Sequence, residues 1–110
     1  MEIPDPIKAD VAEAGGLEGI SKMIPDDRVL LERSRIFRAL SDPIRLRIMS
    51  ILTVQPLCVC CIKEMLDISD SKLSYHLSQL KEAGLIEGKQ EKNWIIYGPT
   101  EMGHRLCDLL

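Results

Sequence analysis

Between Leu57 and Ile86 two helical segments are separated by a break of about four residues, and this spacing restricts the fold more than any other feature of the chain. Leu57 to Leu66 reads as a short helix. Asp67-Ile68-Ser69-Asp70 reads as a turn ending in capping side chains. Ser71 to Ala83 reads as a longer helix, with Gly84 as its left-handed stop. A short helix, a tight turn and a longer helix form the arrangement that projects the second helix outward, where the major groove of a duplex can receive it.

The flanking segments extend this pattern. Asp26 and Asp27 suit a helix start through capping and the helix dipole. Val29, Leu30, Ile36, Phe37 and Leu40 then recur at helical spacing. Ser41-Asp42-Pro43 places a capping side chain before Pro at the first helical position, so a second helix starts there and runs to Gln55-Pro56. After Gly84, Leu85 to Lys89 and Trp94 to Tyr97 read as two strands, with Gln90 to Asn93 as the tip between them. Pro99-Thr100 opens a last helix from Glu101 to Leu110. The expected fold is therefore mainly α with a two-stranded hairpin, a winged helix-turn-helix over residues 25–110. Residues 1–24, broken by Pro4, Pro6 and Gly15-Gly16, are expected to form an acidic, partly ordered arm.

Charge is distributed in keeping with that division. Residues 1–27 carry two basic and seven acidic side chains, whereas the remainder carries twelve basic and ten acidic. The overall charge of −3 thus conceals a mildly basic domain that permits phosphate binding. No apolar run approaches the roughly 20 residues of a membrane span, and the first residues lack the basic and apolar regions of a signal peptide, so a cytoplasmic protein is expected. In that compartment clustered cysteines bind metal or sense oxidation more often than they form structural disulfides. With two histidines, no glycine-rich phosphate loop and no catalytic cluster, an enzyme is not expected.

Ala39-Leu40-Ser41-Asp42-Pro43-Ile44-Arg45-Leu46-Arg47-Ile48 resembles the opening of the ArsR/SmtB family of metal-responsive repressors. Leu57-Cys58-Val59-Cys60 is similar to that family's metalloid motif. Ser74-Tyr75-His76-Leu77, with Leu80 to Ile86, is similar to its reading helix. The three motifs occur in order across roughly residues 29–100. The resemblance implies a homodimer that binds operator DNA and releases it when a soft metal, a metalloid or in some members an oxidant reaches the cysteines. Two departures stand out. Lys63 occupies the place of the motif's third cysteine, and Cys61 replaces its usual acidic residue. The last helix offers only Glu101, His104, Cys107 and Asp108 where some relatives carry a zinc site.

The residues themselves suggest two sites. On the longer helix Leu73, Leu77 and Leu80 form a buried stripe with His76 at its edge as a packed core histidine. The opposite face presents Ser71, Ser74, Tyr75, Ser78 and Gln79, with Lys72 at its border, and the hairpin adds Lys89 and Lys92. Gln reads adenine bidentately, Ser meets bases or phosphates, and Lys and Tyr hold phosphates. Cys58, Cys60 and Cys61 form the second site. Soft thiolates select trivalent arsenic or antimony, or a soft divalent metal, as inducer; no obligatory cofactor is expected. Within a regular helix Cys58 and Cys61 share one face, while Cys60 lies about 160° from Cys58. Three-way convergence then requires an unwound first turn, or two thiols and a ligand from elsewhere. Burial as small apolar side chains and thiol-based redox sensing are the competing roles of the cluster. The competing role of the whole domain is a protein-interaction module. Apolar residues on the first and last domain helices (Val29, Leu30, Ile36 and Phe37; Met102, Leu106, Leu109 and Leu110) exceed what a small monomer needs to bury, which predicts a homodimer.

Overall fold

The computed structural model describes all 110 residues. Its elements are α1 (Asp5–Glu13), α2 (Gly16–Met23), α3 (Asp27–Leu40), α4 (Pro43–Val54), β1 (Leu57–Cys58), α5 (Val59–Met65), α6 (Asp70–Glu82), β2 (Ile86–Glu91), β3 (Trp94–Pro99) and α7 (Glu101–Asp108). Contacts divide the chain into two units, Met1–Glu32 and Arg33–Leu110. In the first unit Pro4 precedes α1, and Gly15 and Gly16 punctuate the passage from α1 to α2. Val11 is its buried side chain.

The second unit is ordered by its helix caps. Asp42 is the N-cap of α4, and its Oδ1 accepts from the backbone N–H of Ile44 at 2.8 Å and of Arg45 at 3.1 Å. Its carboxyl is held below the usual range, chiefly by the Arg45 N–H. Ser69 caps α6 through the N–H of Lys72, and Thr100 caps α7 through the N–H of Gly103. Gly84 follows α6 with φ of 74°, a left-handed conformation that a side chain would disfavour. These caps explain why the boundaries read from sequence match the observed helices closely.

The core is aliphatic. Ile48, Met49 and Leu52 of α4, Ile62 of α5, Leu73 and Leu80 of α6, and Leu85 and Ile86 are essentially inaccessible to solvent. Each such side chain contributes roughly 1.5–3 kcal/mol by leaving water. Helix α6 packs on α4, and α5 joins the same buried cluster through Ile62 while resting on β1 and β3.

The sheet corrects the sequence reading. It has three strands in the order β1-β3-β2, all antiparallel. Leu57 and Cys58, expected as the first turn of the short helix, instead form a strand that pairs with Tyr97 and Ile96 of β3. Cys58 has extended backbone and serves as the N-cap of α5. The hairpin of β2 and β3 turns at Lys92, whose φ is 55°, and Gln90 Nε2 donates to the Lys92 carbonyl at 2.8 Å.

Candidate nucleic-acid interface and thiol cluster

Helix α6 presents Ser71, Lys72, Ser74, Tyr75 and Ser78 to solvent, while Gln79 is half-buried. The exposed set follows from the burial of Leu73, Leu77 and Leu80 beneath it. His76 is 6% exposed and accepts from Arg45, so it belongs to the core. Along one flank of α6 runs an open groove of about 420 Å³, with Val59 and Tyr97 on one side and Ser74, Ser78 and Lys81 on the other. Lys81 went unremarked in the sequence because it lies just outside the polar face counted from Ser71. On the wing, Lys89 and Lys92 are exposed, as is Trp94 at the start of β3. The DNA-facing candidates thus lie on two elements, one helix and one hairpin, joined through Gly84 and Leu85.

The cysteines sit where β1 passes into α5. Sγ of Cys58 lies 2.6 Å from Sγ of Cys60 and 3.5 Å from Sγ of Cys61. All three sulfurs fall within 4.8 Å of one another. Convergence needs no unwound turn, because Cys58 was never inside the helix. Its extended backbone swings the side chain across the first turn, where Cys60 and Cys61 stand. The angular count that separates Cys58 from Cys60 holds only if the helix starts at Leu57, two residues before α5 begins at Val59.

Proximity also divides the three thiols chemically. Cys58 is drawn down to about 7, first by hydrogen bonding from the Cys60 thiol and then by the backbone N–H and thiol of Cys61. Cys60 is pushed up, mainly through its bond to Cys58. Cys61 is pushed up to about 11 by its own bond to Cys58 and by charge on Cys58. The first proton therefore leaves from Cys58, and the other two thiols donate to the resulting thiolate. Cys60 and Cys61 are exposed and Cys58 is half-buried, so a soft ion can reach them from solvent. Three sulfurs at this spacing and no competing oxygen or nitrogen donor in the group fit a thiophilic ion.

Lys63, which stands in place of a third motif cysteine, instead forms an ion pair with Asp70 in the first turn of α6. It links the two helices across the turn. On α7, Nδ1 of His104 lies 3.0 Å from Oδ2 of Asp108. Cys107 is half-buried against the core, and burial raises its thiol. No helix is long and apolar enough to cross a membrane.

Comparison with known proteins agrees with this architecture. Residues 42–88 match the family model described as "Bacterial regulatory protein, arsR family". The chain is 40% identical over 73 residues to a putative arsenical resistance operon repressor of Halobacterium salinarum, covering 64% of this chain and 57% of that protein. The match thus spans little more than half of that relative. It is 32% identical over 79 residues to an arsenical resistance operon repressor of Staphylococcus xylosus, covering 72% of this chain and 73% of that protein. Among solved structures, a homodimeric winged helix-turn-helix DNA-binding domain from Mycobacterium bovis, described as a possible ArsR-family transcriptional regulator, superposes with a TM-score of 0.70. It is 27% identical and the alignment covers 79% of this chain and 84% of that one. The motifs of α4 to the wing, the fold and these relatives together make this chain a member of the ArsR family of bacterial regulatory proteins, a family of regulators rather than enzymes.

Proposed function

We propose that the protein is a cytoplasmic, homodimeric transcriptional repressor that leaves its operator when trivalent arsenic, trivalent antimony or a soft divalent metal is held by Cys58, Cys60 and Cys61. The observation that carries this reading is the convergence of three sulfurs within 4.8 Å at the start of α5. That helix precedes the α6 reading face by one short turn. Ser71, Lys72, Ser74, Tyr75, Ser78 and Gln79 contact the major groove, and Lys89 and Lys92 of the wing contact adjacent phosphates. The relatives named as arsenical resistance repressors support the class of inducer. The exposed Phe37, Leu109 and Leu110 supply apolar surface for a second copy.

The energetic requirement is modest. An inducer releases DNA only by its differential affinity for the DNA-free form, and 1–3 kcal/mol of coupling is typical, or roughly 5- to 150-fold in affinity. Bound to three thiolates, the ion supplies a centre that fixes Cys58 relative to Cys60 and Cys61.

A second reading rests on the 2.6 Å approach of the Cys58 and Cys60 sulfurs. Two-electron oxidation by a peroxide would join them in a disulfide, with two waters released per peroxide consumed. One experiment separates the two readings. Operator release is followed by fluorescence anisotropy with arsenite, antimonite, cadmium or peroxide, and the adduct is identified by native mass spectrometry. Release with a metalloid adduct, lost in Cys58→Ser and Cys60→Ser, is the expected result. Release by peroxide alone, with loss of two hydrogens, selects the redox reading. Bound DNA under every agent overturns both.

A further inference from the structure

Three polar side chains without a partner in the chain, Arg35, Arg38 and Gln79, meet in a cleft that shares only Gln79 with the sites above. The cleft, about 250 Å³, lies between the last turns of α3 and of α6. Arg35, Arg38 and Ala39 line one side, and Gln79, Glu82 and Ala83 the other. Arg35 and Arg38 are three residues apart on one helix face, and neither is within ion-pair distance of a carboxylate, whereas Arg28 and Arg105 both pair with glutamates on their own helices. Glu82, the one acid in the cleft, lies 3.5 Å from the Ser78 hydroxyl instead. Like charges at this spacing repel one another on a helix. The nearby Arg45 is unavailable, since its guanidinium is committed to the carbonyls of Ala39 and Arg38 and to His76. The half-buried Gln79 amide makes no hydrogen bond within the chain either.

Position gives this arrangement a partner. Gln79 belongs to the polar face of α6, so the cleft borders that face on the side of α3, while the groove with Val59 and Tyr97 borders it on the other. A helix seated in a major groove has a phosphate strand along each edge. The wing serves one edge. Two unpaired guanidiniums and an amide donor stand at the other.

We propose that Arg35 and Arg38, with the Gln79 amide, form a phosphate clamp for the DNA strand on the α3 side of the reading helix. The clamp rests on the DNA-binding role proposed above and adds a third element to the interface, one outside the helix-turn-helix and the wing. In it Gln79 has the role of a backbone contact as much as a base reader. Arginine suits the site because its planar fork holds phosphate through two parallel hydrogen bonds.

The test is the salt dependence of binding to a fluorescein-labelled duplex of arbitrary sequence, followed by anisotropy from about 50 to 200 mM sodium chloride. Arg35→Ala and Arg38→Ala are each expected to lower the slope of log K against log salt by roughly one per protomer in contact with DNA. Arg38→Lys should restore most of the slope. Arg105→Ala, which removes the same charge from α7, should leave it nearly unchanged. Circular dichroism confirms that each variant is folded. Both cleft variants keeping the wild-type slope would overturn the clamp, and so would an equal loss in Arg105→Ala, which would reduce the effect to net charge. A wild-type protein without salt-sensitive binding would overturn the DNA-binding role itself, and the clamp with it.

Discussion

Nη1 of Arg45 lies 3.0 Å from Nδ1 of His76, and this contact ties the start of α4 to α6. Arginine has only donors, so Nδ1 accepts and the ring proton sits on Nε2. Nε of the same guanidinium donates to the Ala39 carbonyl at 2.6 Å. One side chain therefore satisfies the end of α3 and a buried ring on α6. We expect Arg45→Ala to cost about 1–3 kcal/mol, because it leaves a buried acceptor without a partner. His76→Ala should cost a similar amount, and the double variant less than the sum. Urea unfolding of the four proteins measures this, and strict additivity would show that the contact does not couple the helices.

Asp42 offers a pH test. Its pKa is lowered in the folded state, first by the Arg45 N–H, so its contribution is complete above the unfolded value near 3.8 and is lost as pH falls through the lower folded value. Asp42→Ala should destabilise by about 1 kcal/mol at neutral pH, as loss of a helix N-cap does. The difference between wild type and variant should shrink on acidification below that range. A difference that stays constant to low pH would mean that Asp42 acts through packing rather than its charge.

Gly103 is where α7 comes closest to Leu85, in the link between α6 and β2, and to Met49 of α4. A Cβ built there would lie 2.1 Å from the Leu85 carbonyl oxygen and 3.0 Å from Cε of Met49. The backbone oxygen has little freedom to yield, since it also accepts from the Thr100 N–H at 3.0 Å. Gly103→Ala should therefore lower stability by about 1–3 kcal/mol despite its better helix propensity. A thermal melt showing an unchanged or higher midpoint would disprove the close approach.

The thiols should be distinguishable by alkylation. Iodoacetamide labelling of Cys58 is expected to rise through pH 7, where its thiolate forms, while Cys61, at about 11, lags far behind. Peptide mass spectrometry after short exposures reads each site separately. Three thiols sharing one profile near the usual value of 9.0 would mean that they do not interact.

What could be read from the sequence had local causes. Asp42-Pro43, Ser69 and Gly84 act within a few residues, so they marked helix ends without reference to the rest of the chain. The Leu73, Leu77 and Leu80 stripe identified the exposed face of α6, and His76 was placed in the core by the same period. What could not be read depended on distant partners. A strand of two residues has no period of its own, and β1 exists because Tyr97 and Ile96, almost forty positions later, present a free edge. The same distant pairing holds Cys58 extended and so lets the three sulfurs converge. The Arg35 and Arg38 cleft was equally hidden, since only the folded chain brings the end of α3 beside Gln79.

Cys58 stands at a fork in the chain. Its peptide belongs to the ladder with Ile96, its cap position opens α5, and its sulfur is the member of the trio that gives up a proton first. A disturbance at that sulfur has no distance to travel before it meets both mechanical branches, one leading to the wing and the other to the turn before α6. The chain's single tryptophan, Trp94, lies on the strand that forms one of those branches, two positions from Ile96. The protein thus carries its own optical gauge on the wing, and its emission can be followed without a label while the thiols are titrated.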